Sequence, residues 1–232
     1  MTAQPDARGD VAVLVVAAGM GVRLGAGRPK ALCAIGGEPL LVHAVRRVSA
    51  APSVGAVIVA APPDEVGAVA ELLGPGAHVV AGGEHRQASV AAALAAVPEG
   101  FEIVLVHDAA RALAPTALVE AVAGAVRAGA DAVIPVLPVV DTVKEVAASG
   151  TVVGTVDRSV LRVVQTPQGF RRTVLAAAHA VVADAHTDDA GLVEKLGVPV
   201  RTVPGDDAAF KITRPVDLVF AEALLAGGTL AS

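Results

Sequence analysis

The stretch V-A-V-L-V-V-A-A-G-M-G-V-R-L-G-A-G-R-P-K, residues 11 to 30, decides how the chain is read. Residues 11–17 form an unbroken apolar run between Asp10 and the glycine-rich segment. Such a run suits a strand buried on both faces, the kind found in parallel sheets. It passes straight into a turn with glycines at 19, 21, 25 and 27. Glycine permits positive φ and close backbone approach, so successive N–H groups can converge on an anion. Arg23, Arg28 and Lys30 add three full positive charges. A cationic glycine turn at the carboxyl end of a first parallel strand is where open α/β sheets bind ligands.

Working outward, the same apolar signature returns at residues 54–60, 103–106 and 132–136, with shorter runs at 78–81 and 200–203. Between them, apolar residues fall at helical spacing over 40–49, 65–73, 87–97, 116–128, 173–183 and 215–225. Strand and helix in alternation predict an α/β fold, a mostly parallel sheet with helices on both faces. Residues 11–232 read as one domain, preceded by a polar, flexible tail over 1–10. Residues 139–164 break the rhythm: β-branched residues flank an Ala-Ser-Gly turn, which predicts a β-hairpin arm leaving the main sheet. A lone hairpin is marginal in water, so the arm is expected to pack on something, such as a second copy of the chain. Residues 165–170, Q-T-P-Q-G-F, read as a turn returning the chain to the sheet.

Composition removes several classes of function. Of the 232 residues, 54% are hydrophobic but only 2% aromatic, with four Phe and no Tyr or Trp. The core is therefore aliphatic, and the stacking platforms used on single-stranded nucleic acid are missing. A net charge of −5 also lacks the basic field that follows a phosphate backbone, so no nucleic-acid partner is expected. The single cysteine, Cys33, makes no intrachain disulfide and implies no oxidising compartment. No 18-residue apolar run free of Gly, Pro or charge is present, and the first ten residues hold no apolar signal core. The expectation is a cytoplasmic protein without a membrane partner.

Two common phosphate-loop readings fail on spacing. A dinucleotide fingerprint needs a third glycine where Leu24 stands, and a P-loop needs Gly-Lys-Ser/Thr, whereas Lys30 follows Pro29 and precedes Ala31. Other loops carry chemistry of their own. Gly82 and Gly83 open G-G-E-H-R-Q-A-S-V, and Ser89 falls near the start of the helix that follows, as cap or as ligand. The strand at 103–106 ends in H-D-A-A-R: Asp108 can hold Mg²⁺ and Arg111 a phosphate, or the two can pair with each other. The arm carries Asp141, Thr142, Lys144, Asp157 and Arg158, which as a solvated arm need no further reading. Lys211, in F-K-I-T-R-P, precedes the last helix as a ligand or as a snorkelling surface lysine. Asp184, His186, Asp188 and Asp189 resemble a metal cluster, but Thr187 or Asp188 also suits the cap of a helix running to Leu196. No G-x-S-x-G elbow is present, Cys33 has no evident base partner, and the histidines lack zinc-ligand spacing.

Taken together, A-A-G-M-G-V-R…P-K, G-G-E-H-R-Q-A-S-V, V-H-D-A-A-R, D-T-V-K, T-V-D-R, T-P-Q-G-F, T-D-D-A-G-L-V-E and F-K-I-T-R-P resemble the 2-C-methyl-D-erythritol 4-phosphate cytidylyltransferase family over residues 11–226. The resemblance implies a Rossmann-like nucleotidyltransferase fold and transfer of a cytidylyl group from CTP to a sugar-alcohol phosphate, with Mg²⁺ and a homodimer joined through the arm. It implies Arg23 and Lys30 as transition-state stabilisers, with Lys211 and the other subunit's Arg158 positioning the acceptor phosphate. Cytidine contacts fall on the backbone at Ala17, Ala18, Gly19 and Gly21, and on Gly83, Glu84 and Ser89. Asp108, Arg111 and Thr142 fall in the acceptor pocket, and Asp108 is also the implied Mg²⁺ ligand. The rivals are a cytidylyltransferase for ribitol phosphate or another sugar phosphate, a nicotinamide-dependent oxidoreductase, and a nucleotide sensor without catalysis.

Overall fold

The computed structural model describes residues 9–19, 29–181 and 188–227. The first half of the chain runs β1 (Val11–Val16), β2 (Ala34–Ile35), β3 (Glu38–Pro39), α1 (Leu40–Ser49), β4 (Val54–Ala61), α2 (Val66–Leu73), β5 (His78–Ala81), α3 (Arg86–Ala95) and β6 (Ile103–Asp108). Next come α4 (Thr116–Arg127), β7 (Ala132–Pro138), β8 (Val143–Val146), β9 (Val152–Val156), β10 (Arg162–Val164) and β11 (Gln168–Arg171). The chain closes with α5 (Arg172–Val181), α6 (Asp189–Lys195), β12 (Val200–Pro204) and α7 (Pro215–Ala226).

Among the described residues eight strands form one sheet in the order β10-β7-β11-β6-β1-β4-β5, with β12 also paired to β7. β1 lies parallel to β4 on one side and to β6 on the other, so the direction of winding reverses beside β1. In open α/β sheets a crevice opens at such a reversal, outside the carboxyl ends of the strands.

The alternation along β1 explains why it had to be apolar throughout. Val11, Val13 and Val15 join a core layer with Leu41 and Val45 of α1 and Val119 and Val122 of α4. Ala12 and Leu14 face the other way, toward Val90 of α3, Leu175 of α5 and Leu192 of α6. Burying one such aliphatic side chain contributes about 1.5–3 kcal/mol. A polar residue anywhere along β1 would therefore lose burial on one face or the other.

Two parts of the fold differ from the sequence reading. Residues 165–170 are not simply a turn: Gln168–Arg171 is strand β11, antiparallel to both β6 and β7 and set between them. Its Phe170 is fully buried. A Cβ at Gly169 would lie 2.6 Å from Val122 Cγ1 and 2.9 Å from Leu105 Cδ2, so only glycine lets α4 sit this close to the sheet. Glycine within a strand weakens the local signal, and tertiary packing overrides it. The second difference is in the 139–164 segment. β8 and β9 pair as a separate two-stranded sheet, whereas β10 returns to the main sheet on β7.

Candidate active site

The carboxyl ends of β1 and β6 open into a cleft of about 370 Å³. Its floor is backbone. Ala17 N–H donates to Ala60 O at 2.9 Å and Ala109 N–H to Val16 O at 3.1 Å, so both chains continue the ladder as they leave the sheet. Ala17, Ala18 and Gly19 line the cleft from β1, and Lys30 lines it from the far end of the glycine-rich segment. Lys30 N–H donates to Gly19 O at 3.2 Å, which fastens the two ends of that segment together. Lys30 opens a short 3-10 turn, Lys30–Leu32, whose Ala31 is buried. Gly21 and Arg23 lie outside the described residues.

The opposite wall comes from the loop between β5 and α3. Gly83, Glu84 and Ser89 all line the cleft. Ser89 is buried in α3, where its Oγ accepts from Gly83 N–H at 3.2 Å and donates to His85 O at 3.1 Å. That hydroxyl is thus a brace for the loop. A Cβ on Gly82 would meet Ala18 Cβ at 2.6 Å and Ser89 Oγ at 2.9 Å, and one on Gly83 would collide with Ala88 Cβ. Gly82 is required because the loop packs directly onto the segment leaving β1, and Gly83 because it packs against the first turn of α3.

Charge concentrates at the end of β6. Asp108 is buried, and Lys211 Nζ approaches its Oδ2 at 2.7 Å while Arg86 Nε donates to its Oδ1 at 3.1 Å. Burial alone would raise the Asp108 carboxyl, but the charges of Arg86 and Lys211 outweigh it and hold the group well below the ordinary carboxylate range. Arg86 also reaches Asp189, with Nη1 to Oδ2 at 2.5 Å, and His179 Nε2 stands 3.1 Å from Asp189 Oδ1. Burial opposes the charge on Arg86, yet the two carboxylates raise its pKa above that of a free arginine. Behind Asp108, the Thr166 hydroxyl oxygen accepts the Asp108 N–H at 3.0 Å and stands 3.1 Å from His107 Nδ1. Burial pushes the His107 imidazole down to about 4, so it is neutral near pH 7 and brings no charge to the carboxylate.

Several residues singled out in the sequence stand elsewhere. Arg111 does not line the cleft: its guanidinium donates to Ala209 O at 2.7 Å and Val164 O at 3.0 Å, tying the end of β10 to the 3-10 turn Asp207–Ala209. It does not pair with Asp108, because the carbonyls of Ala209 and Val164 claim its fork. Thr142 is exposed just before β8, outside the cleft of its own chain. Arg158 is exposed on the segment after β9, donates to Val140 O, and borders an open depression with Pro138 and Ser159. In the acidic cluster, Asp184 and His186 lie outside the described residues. Asp188 caps α6, its side chain accepting Gly191 N–H, and Asp189 belongs to the Arg86 network. Among the described residues no group of three or more His, Cys, Asp and Glu side chains is placed to hold a metal ion.

Arg86, His85 and Thr213 also line the cleft and carried no role in the sequence reading. Arg86 stood within the G-G-E-H-R-Q-A-S-V motif, but its partner Asp189 is 103 positions away, and no local pattern joins them.

A family model described as IspD, 2-C-methyl-D-erythritol 4-phosphate cytidylyltransferase, matches residues 11–227. A protein of that name from Frankia casuarinae is 60% identical over 222 residues, covering 96% of this chain and 84% of the relative. Its namesake from Streptomyces coelicolor is 54% identical over 228 residues, covering 93% and 84%. The crystal structure of 2-C-methyl-D-erythritol 4-phosphate cytidylyltransferase from Thermus thermophilus superposes with a TM-score of 0.78 at 40% identity, covering 93% of this chain and 98% of that one. Agreement in sequence and in fold along nearly the whole length settles the assignment: the chain belongs to the 2-C-methyl-D-erythritol 4-phosphate cytidylyltransferase family.

Proposed function

We propose that the chain transfers the cytidylyl group of CTP to the phosphate of 2-C-methyl-D-erythritol 4-phosphate, giving 4-diphosphocytidyl-2-C-methyl-D-erythritol and pyrophosphate, in non-mevalonate isoprenoid precursor synthesis. Beside the family match, the observation that carries the reading is that Lys30 and Lys211, from opposite ends of the chain, line one cleft with Asp108.

The attacking group is a phosphate monoester whose second pKa lies near ~6, so it is mostly dianionic at pH 7 and needs no general base. The obstacle is charge repulsion. Two unit charges ~4 Å apart interact by about 4 kcal/mol at an effective dielectric near 20, and the α-phosphorus is flanked by further anionic oxygens. On this reading Lys30 and Arg23 neutralise the triphosphate, and Lys211 turns from Asp108 toward the acceptor phosphate. Ala17, Ala18 and Gly19 hold the nucleotide by backbone groups, facing Gly83, Glu84 and Ser89. One oxygen of the acceptor bonds to the α-phosphorus as the bond to pyrophosphate breaks, and catalysis is positioning plus electrostatic stabilisation.

Asp108 also fits Mg²⁺ arriving with CTP. Mg²⁺ is usually held by one or two carboxylates plus phosphate oxygens and waters, and Asp108 brings one carboxylate to the cleft wall. Its Oδ2 is covered by the Nζ of Lys211, a half-exposed side chain free to swing aside. When bound there, the ion would supply charge neutralisation on the leaving pyrophosphate. Both substrates are multiply charged and Cys33 is a buried free thiol, which suits a cytoplasmic enzyme.

The test is pyrophosphate release with CTP and 2-C-methyl-D-erythritol 4-phosphate, with ribitol phosphate in parallel. Turnover is expected with the first acceptor. Turnover only with the second, or CTP binding without pyrophosphate, would remove the reading.

The same proposal includes a homodimer joined through the arm. Val140, Val146, Val152, Val153 and Val160 on and around the hairpin are each more than half exposed. Exposed apolar side chains clustered on one hairpin suit a protein contact, and a two-stranded hairpin gains stability by packing on a partner. If Arg158 serves the other subunit's cleft, mixing Arg158→Ala and Lys30→Ala proteins should restore about one quarter of wild-type activity, because half of randomly mixed dimers are hetero and each carries one intact site. Mixing that restores nothing would count against an arm acting in trans.

A further inference from the structure

We infer that Asp217, in the first turn of α7, is a positioning residue for the reaction: it fixes the backbone that carries Lys211 and Thr213 into the cleft. The inference rests on the role proposed for Lys211. Asp217 itself does not line the cleft.

Residues 210–214 have no regular structure, lying between the 3-10 turn Asp207–Ala209 and α7. Their side chains alternate in fate. Lys211 and Arg214 are exposed, Thr213 is half-buried, and Ile212 is fully buried. A segment like this has little packing to hold it, yet it must present an ammonium group at a defined point. It is pinned twice. Ile212 joins a small separate core with Ile35, Leu40 and Leu113, and its N–H donates to Ala110 O at 2.9 Å, next to the end of β6. That pin acts at the residue directly after Lys211. The other pin is a single atom, Asp217 Oδ2, which accepts Thr213 N–H at 2.7 Å, the Thr213 hydroxyl at 2.9 Å and Arg214 N–H at 2.8 Å.

Capping the helix requires only one of these bonds. An acidic residue in the third helical position reaches back to the cap residue, here Arg214, and the two bonds to Thr213 go beyond that need. Burial would raise the Asp217 carboxyl, but the donors from Thr213 and Arg214 keep it below the ordinary carboxylate range. It therefore accepts as an anion, and charge-assisted bonds are roughly twice as strong as neutral ones. The Thr213 hydroxyl proton is committed to Asp217. Thr213 consequently offers the cleft a methyl group or a lone pair, not a donor, and leaves an incoming phosphate to Lys211.

A residue that merely caps α7 would shift the melting temperature and leave kcat and KM alone. A positioning residue moves kinetics through Lys211. The experiment is a double-mutant cycle on the full chain, read by pyrophosphate release and by thermal melting. Asp217→Ala, folded at the assay temperature, is expected to lose about 10- to 100-fold in kcat/KM, chiefly through KM for the acceptor, since misplacement of ~1 Å away from the chemistry can cost about 100-fold. Asp217→Asn, which keeps an oxygen acceptor, should recover most of that loss. In a Lys211→Ala background, Asp217→Ala should cost nothing further, because coupled residues are not additive. If Asp217→Ala does not fold, Asp217→Ser takes its place in the same cycle. Wild-type kinetics in the folded variant, or an undiminished loss in the Lys211→Ala background, overturns the inference. Wild-type kinetics in Lys211→Ala alone instead overturns the reading of the cleft.

Discussion

Lys30→Ala is expected to lower kcat by about 100- to 1,000-fold, the range seen when one preorganised group that stabilises transition-state charge is removed. Three features make Lys30 the position with the largest kinetic effect. It lines the cleft directly beyond β1. Its backbone is held by Gly19 O behind it and by the 3-10 turn ahead of it, where Cys33 N–H donates to Lys30 O at 3.0 Å. Its turn is anchored by buried Ala31 and Cys33, so the ammonium group sits on a rigid base. Such a base would hold charge in place before the reaction, as the proposed role requires. Lys30 lies in a loop segment and not in a helix or strand of the core, so melting is expected to change little. A folded Lys30→Ala protein with wild-type kcat would remove the proposed role.

The largest effect on stability is expected at Asp189, a position outside the cleft lining. Asp189 is fully buried and divides its oxygens between Arg86 at 2.5 Å and His179 at 3.1 Å. Replacing it by alanine leaves the Arg86 guanidinium inside the protein with Asp108 as its remaining carboxylate partner among the described residues. Breaking a buried ion pair on one side costs about 3–5 kcal/mol, because the surviving charge stays inside the protein with one carboxylate fewer to balance it. For a domain of this length that corresponds to a fall in Tm of roughly 6–20 °C, measurable by calorimetry. A fall under about 2 °C would mean that Asp108 alone satisfies Arg86. The same network explains why Asp108 is not simply a free carboxylate at a strand end. Arg86 takes one oxygen and Lys211 the other.

How much of this could be read without coordinates follows from the range of each interaction. β1, β4 and β6 were legible because a strand buried on both faces carries an unbroken apolar run, of four residues in β6 and longer in β1 and β4. Helix α1 appears at Leu40–Ser49, as its spacing required. Lys30, Asp108, Gly83, Ser89 and Lys211 were legible as residues that follow a strand's carboxyl end, where a parallel sheet opens. β11 was not, since a four-residue strand containing Gly169 owes its place to the neighbours β6 and β7 on either side.

Asp108 and Arg111 show the boundary most clearly. Three residues apart, they suggested a pair or two separate ligands. In the fold, Asp108 turns to Arg86 and Lys211, and Arg111 turns to the carbonyls of Val164 and Ala209. By itself, the sequence determined the α/β class and the strand whose end bears the cleft, because hydrophobic alternation is a local property of consecutive residues. Which charge faces which was decided only by tertiary structure. A buried ion pair depends on distances between elements far apart in the chain, and nothing in the residues next to Arg86 encodes the approach of Asp189.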